Sequence, residues 1–90
     1  MKLDISAGAR RDLVRIDQWL AAIDGDLAGQ VPDAIADRVE LLLANPAIGS
    51  PLPGGRRKLI ERRFGYVILY RATAGTVTIL RIRHAREDWR

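Results

Sequence analysis

The residue types able to do chemistry gather at the end of the chain. Thr76 to Arg90 reads as a β-branched strand that closes in basic residues, the only histidine and a tryptophan. His84 is the one side chain whose unperturbed proton exchange falls near neutral pH, and Arg81, Arg83 and Arg86 lie close to it in sequence. A general acid or base beside guanidinium groups that hold a phosphate would suit RNA cleavage, in which a 2′-hydroxyl loses a proton while cations stabilise the phosphorane. The competing reading has His84 closing the strand with a hydrogen bond to a carbonyl or to Asp88. A second base is not evident. Glu61 is the sole carboxylate of the last three strand-like runs, and its basic neighbours make it equally an ion-pair partner. Trp89 and Arg86 belong to the residue types that anchor protein contacts, although a tryptophan folded back over a sheet edge reads the same way.

The remaining signatures narrow the choice by their absence from the sequence. Gly54-Gly55 belongs to no phosphate loop, no Gly-x-Ser-x-Gly elbow occurs, and one histidine does not make a metal cluster, so no metal and no cofactor are expected. Cysteine is absent, which excludes thiolate chemistry and disulfides and fits a reducing cytoplasm. The start of the chain lacks the apolar stretch of a secretory signal, and no run is long enough for a membrane helix, so a cytoplasmic chain without a membrane partner is expected. Ninety residues, 48% hydrophobic and 29% charged, make one domain over residues 1–90. The formal charge of +4 is unevenly spread: residues 1–44 hold five basic against eight acidic side chains, and residues 45–90 hold ten against three. Positive potential therefore collects on the second half, either to steer an anionic partner or as a solvated basic face.

The elements that must position these groups follow from hydrophobic spacing. Leu3 and Ile5 alternate with Lys2 and Asp4 as a short strand with one buried face. Ser6 offers an N-cap, after which Ala9, Leu13, Ile16, Leu20 and Ile23 form one apolar helix side with Trp19 beside it. Asp24-Gly25-Asp26 breaks the pattern, and Ala28, Val31, Ile35, Val39 and Leu42 supply the stripe of a second helix, with Pro32 expected in its first turn or at a kink. Leu41, Leu42 and Leu43 point three ways and do not all reach one core, so a neighbouring loop or a partner protein must cover part of them.

Asn45-Pro46 ends that helix, and Ala47 to Gly55 reads as a stiff loop. Three strands close the chain: Arg57 to Phe64, Tyr66 to Arg71 and Thr76 to Arg83, joined at Gly65 and Ala74-Gly75. Connections this short make them antiparallel. Tyr66 to Tyr70 is apolar on both faces and belongs in the centre. The result is an α+β domain of order β-α-α-β-β-β, a helical hairpin packed on one face of a mainly antiparallel sheet. Strict alternation places Arg81 and Arg83 with Val77 and Ile79, and Leu80, Ile82 and His84 opposite, so the last strand must leave the helix-covered region or carry a bulge.

Four pieces in order resemble the ParE branch of the RelE/ParE toxin superfamily, the toxin halves of bacterial type II toxin–antitoxin modules linked to plasmid stabilisation. They are Ala9-Arg10-Arg11-Asp12-Leu13 with Ile16; Leu42-Ala44-Asn45-Pro46-Ile48-Gly49; Tyr66-Val67-Ile68-Leu69-Tyr70-Arg71; and Ile79-Leu80-Arg81-Ile82-His84-Ala85-Arg86-Asp88-Trp89. The resemblance implies the fold just read and a ParD-like antitoxin that wraps the toxin in a hetero-oligomer, with Leu41, Leu43, Arg62 and Arg71 as expected antitoxin contacts. It implies DNA gyrase as the target, met through Arg81, Arg83, His84, Arg86 and Trp89, with no chemistry performed by the toxin itself. The RelE branch instead cleaves messenger RNA on the ribosome, which here would fall to His84 with Arg81, Arg83 or Arg86. Nucleases of that branch resemble one another in an arginine three residues before the tyrosine of the central strand, and Val67 stands at that position. A valine makes no charge-assisted bond to a phosphate. A third reading is an inert binding module that only titrates an antitoxin.

Overall fold

The computed structural model describes residues 1–86. The elements run β1 (Lys2–Ile5), α1 (Ala7–Ile23), α2 (Gly25–Ala44), β2 (Ser50–Pro51), β3 (Arg57–Glu61), β4 (Tyr66–Thr73) and β5 (Thr76–His84), with one short 3₁₀ turn at Pro53–Gly55. The strands form one sheet in the order β1-β5-β4-β3-β2. β1 lies parallel to β5, and the other three pairings are antiparallel, so the sheet is mixed. β4 is central, as its two apolar faces require.

Local chemistry sets the helix ends. The Ser6 hydroxyl accepts a hydrogen bond from Ala9 N at 3.0 Å and starts α1. Asp24 serves both helices: its N–H donates to Leu20 O at 2.8 Å, and its carboxylate accepts from Asp26 N at 3.0 Å. Pro32 lies well inside α2 rather than in its first turn, so the Ala28 carbonyl has no N–H at the usual i+4 position. Val31, Ile35 and Leu42 on α2, with Ala9, Ile16 and Leu20 on α1, pack against Leu59, Tyr66, Ile68, Tyr70, Val77, Ile79 and Ile82 of the sheet. Ile23 and Trp19, counted with the α1 stripe or beside it, are exposed.

Two boundaries differ from the periodic reading. The stretch from Ala47 to Gly55 is not wholly loop, because Ser50 and Pro51 pair with Lys58 and Arg57 as an edge strand. β3 stops at Glu61, whose buried carboxylate bends back to accept from Arg63 N at 2.6 Å and from Phe64 N at 3.0 Å. Glu61 therefore closes the β3–β4 turn. Its oxygens are taken up by backbone amides, a use that neither a general base nor an ion pair describes.

One contact ties the end of α2 to the sheet centre. The Tyr70 hydroxyl donates to Pro46 O at 2.8 Å and accepts from Gly49 N at 2.9 Å. A Cβ at Gly49 would fall 2.5 Å from that hydroxyl oxygen, so only glycine admits the approach.

Candidate functional site

The terminal half of β5 loses its neighbour. β1 ends at Ile5, paired with Ile79, and the first turns of α1 then take over the polar groups that a longer β1 would have met. Ser6 N donates to Ile79 O at 2.9 Å, and the Ser6 hydroxyl donates to Leu80 O at 2.9 Å. One turn further on, Asp12 accepts from Ile82 N at 2.9 Å. Glycine at residue 8 eases this approach: a Cβ there would sit a tight 3.2 Å from Arg81 Cδ and 3.4 Å from Leu80 O.

This handover bends the strand. Leu69 pairs with Arg81 but Tyr70 pairs with Ile79, so Leu80 is the extra residue of a β-bulge. The bulge shifts the parity expected from strict alternation. Ile82 and His84 pair with Ile68 and Tyr66 on the helix-covered face, while Arg83 pairs with Val67 on the open face. A bulged strand was one of two ways to reconcile the mixed pattern, and it is the one adopted.

Asp12 holds the bend. It is 3% exposed, and its carboxylate receives Arg81 Nε at 2.8 Å and Nη2 at 3.0 Å, a two-pronged charge-assisted pair. Arg15 Nη2 lies 3.6 Å away. Burial pushes the Asp12 carboxyl up, but the Arg81 bonds, the Ile82 amide and the charges of Arg81 and Arg83 outweigh it and hold the group below its ordinary value. Spacing did carry a signal for Asp12, since it falls among the inward positions Ala9, Ile16 and Leu20; a carboxylate there needs a partner from elsewhere.

His84 packs edge-on against Tyr66, ring centroids 5.4 Å apart at 89°, and its Nδ1 accepts from Arg86 N at 3.2 Å. In the neutral ring the proton is then on Nε2. That nitrogen lies beside Gly65, where a Cβ would approach it to 3.2 Å, and Gly65 also takes a positive φ of 80°. His84 thus bonds the backbone amide two residues on, and Asp88, the carboxylate expected as its partner, lies outside the described residues. With Arg15, Ile16, Trp19, Tyr66 and Arg86 it lines a cleft of about 580 Å³ between α1 and the end of the sheet. Trp19, 57% exposed, and Arg15 are members of this cleft that the terminal motif did not reveal, because they come from α1.

The expected target contacts therefore divide. His84 and Arg86 share the cleft, Arg81 is engaged by Asp12, and Arg83 lies on the other face of the sheet. Trp89 lies outside the described residues. The expected antitoxin contacts do not form one cluster either. Leu43 lines an apolar groove of about 480 Å³ between the helices and the β1 edge, with Leu3, Ile5, Leu13, Ile35 and Val39. Leu41 is 38% exposed on α2 outside that lining. Arg62 is exposed in the β3–β4 turn, while Arg71, towards the far end of β4, donates to Gly54 O at 3.0 Å. No helix among the described residues is long and apolar enough to cross a membrane.

Comparison with known proteins gives a consistent answer. A family model described as the ParE toxin of the type II toxin–antitoxin system parDE matches residues 3–89. The toxin RelE3 of Caulobacter vibrioides is 32% identical over 87 residues, spanning 94% of this chain and 95% of that protein. A chain of the chromosomal ParDE toxin–antitoxin system of P. aeruginosa superposes with a TM-score of 0.83 at 27% identity, covering 96% of this chain and 97% of its own. The intact E. coli RelBE toxin–antitoxin complex holds a chain of the same fold, with a TM-score of 0.61 at 18% identity over 96% of this chain and 98% of that one.

Proposed function

We propose that this chain, which belongs to the ParE toxin family of type II toxin–antitoxin systems, acts by binding DNA gyrase through the basic end of β5 and is held inactive by a cognate ParD-like antitoxin. The observation that carries the reading is the state of the residues a nuclease would need. Arg81 already gives its guanidinium to Asp12, and Val67, opposite Arg83, occupies the central-strand position where the related nucleases resemble one another in an arginine. A site that must neutralise a pentacoordinate phosphate needs several cations converging on one point. Here Arg83 and His84 are directed to opposite faces. A steric poison makes no such demand and needs only a complementary surface.

The antitoxin reading draws on the apolar groove that Leu43 lines beside the open edge of β1. A hydrophobic segment laid there would bury the aliphatic surface that the helical hairpin leaves accessible. Inhibition of supercoiling by purified gyrase on addition of the isolated chain tests the target. Full supercoiling with the chain in excess removes the gyrase assignment.

The second reading, ribosome-dependent RNA cleavage, is favoured by one observation: His84, Arg15 and Arg86 share a cleft. Replacing His84→Gln separates the two: an RNA-cleaving enzyme loses most of its toxicity, whereas a steric poison whose fold survives loses one contact among several and retains much of it. Normal colony growth on induced expression without an antitoxin would instead mark an inert module.

A further inference from the structure

α2 carries one charged side chain on its inward flank, Arg38, between Ile35 and Leu42. The Arg38 Nε is buried, and among the described residues no acceptor reaches it. Its neighbours at three and four positions along the helix are Ala34, Ile35, Leu41 and Leu42, so its own helix supplies no carboxylate on that side. A buried N–H left without an acceptor costs about 1–3 kcal/mol. Arg38 lines a hollow of about 220 Å³ together with Ser50, Lys58 and Arg62 and the aliphatic walls of Ile48 and Ile60. Three cations thus meet around a small volume into which no carboxylate of the described residues projects. Asp37, adjacent to Arg38, is exposed, and Glu61, adjacent to Ile60 and Arg62, is turned away into the amides of Arg63 and Phe64.

The hollow opens on two features that suit an extended chain. β2 pairs with β3 only at Arg57 and Lys58, so Leu59 to Glu61 have β4 on one side and an open edge on the other. Lys58 and Ile60 also line a second hollow, of about 410 Å³, on the sheet face away from the helices, where Val67 and Leu69 supply the floor. Cross-strand pairing puts Arg83 beside Val67 on that face. Ile60 is 38% exposed. The surface is therefore aliphatic in its middle and cationic at its margins. The carboxylate that the register places on this face, Asp4, lies on the far edge strand beyond β5.

We propose that the Arg38–Lys58–Arg62 hollow is the anchor point for an acidic, aliphatic segment of a partner protein, which lies across the open sheet face with its apolar side chains on Ile60, Val67 and Leu69. A carboxylate enters the hollow and pairs with the positive charges of Arg38, Lys58 and Arg62. Two observations favour protein over nucleic acid. Single-stranded nucleic acid is held by aromatic platforms, and among the described residues none lies on this face: Tyr66 and Tyr70 are buried against the helices, Phe64 packs on the core and Trp19 belongs to α1. The aliphatic floor, in turn, gives a phosphate backbone nothing to bond. The inference rests on the reading that this toxin's partners are proteins, and it names the chemistry that one of them must present.

The test is an NMR titration of the isotope-labelled chain with three probes: a short synthetic peptide alternating Leu with Glu, its copy with every Glu replaced by Gln, and a single-stranded oligouridine RNA. The acidic peptide is expected to move the amides of Lys58, Ile60, Val67 and Leu69, and to weaken about tenfold on Arg38→Gln while the Gln copy is unaffected. Should Arg38→Gln lose its circular-dichroism signature, Arg62→Gln, exposed in a turn, takes its place with the same expectation. Equal affinity of wild type and variant overturns the anchor. So does RNA binding the same amides more tightly, or a peptide that moves only the groove residues Leu3, Val39 and Leu43. The supercoiling assay separates this from the gyrase reading: inhibition without peptide binding sinks the anchor alone, and peptide binding without inhibition sinks the target alone.

Discussion

Each helix of this toxin places one charged residue among its inward positions, Asp12 on α1 and Arg38 on α2, and the two meet different fates. Asp12 finds its partners within the chain, sixty-nine and seventy residues away at Arg81 and Ile82, and the pairing turns β5 through a bulge. Arg38 finds no acceptor for its Nε among the described residues. A buried charge whose complement lies in the same chain specifies the fold. One whose complement is missing points outward, to whatever supplies it.

That contrast can be broken by substitution. Asp12→Ala strands the Ile82 N–H and the Arg81 guanidinium; because the Arg81 side chain is 40% exposed and can turn to water, the expected loss is about 2–3 kcal/mol, read from the urea midpoint. Stability within experimental error of wild type would show that the bulge stands without its clamp. Ser6→Ala removes both the cap of α1 and the bond to Leu80 O, and is expected to cost about 1–2 kcal/mol in the same assay. Arg38→Met keeps the aliphatic stem and deletes the unsatisfied N–H, so it should raise stability by about 1 kcal/mol, seen as a higher melting temperature. A loss instead would mean that Arg38 has an internal role.

Acid provides the smallest and sharpest contrast. The folded Asp12 carboxyl titrates below its ordinary value of 3.8, so its stabilisation is complete above that pH and drains away as pH falls through the lower, folded value. The urea-midpoint difference between wild type and Asp12→Asn should therefore be constant from neutral pH down to about 4 and shrink below it. The difference between wild type and Arg38→Met should show no such convergence, because an arginine does not titrate there. Two parallel pH profiles would remove the distinction between the charges.

Much of the scaffold was legible without coordinates. The spacing of Ile16, Leu20, Ile35 and Leu42 marked two helices, the two-sided apolar run Tyr66 to Tyr70 marked the central strand, and Ala74-Gly75 marked a hairpin whose residues both take positive φ, 50° and 79°. β2 escaped notice because two residues carry no period. The site was harder to read. The terminal motif contributed His84 and Arg86 to the cleft, but Arg15 and Trp19 enter it from α1, and Arg81 leaves the group for Asp12.

The sequence by itself determined most of the inward stripe of each helix, the Ser6 cap and the Asp24 and Asn45 breaks, and that positive charge collects in the second half, because these depend on periodicity, capping and composition within a few neighbouring residues. Only the tertiary structure decided which way the arginines of β5 face and which buried charge is paired. One extra residue in a strand inverts every side chain after it, and whether a carboxylate or a guanidinium has a partner depends on groups brought together from opposite ends of the chain.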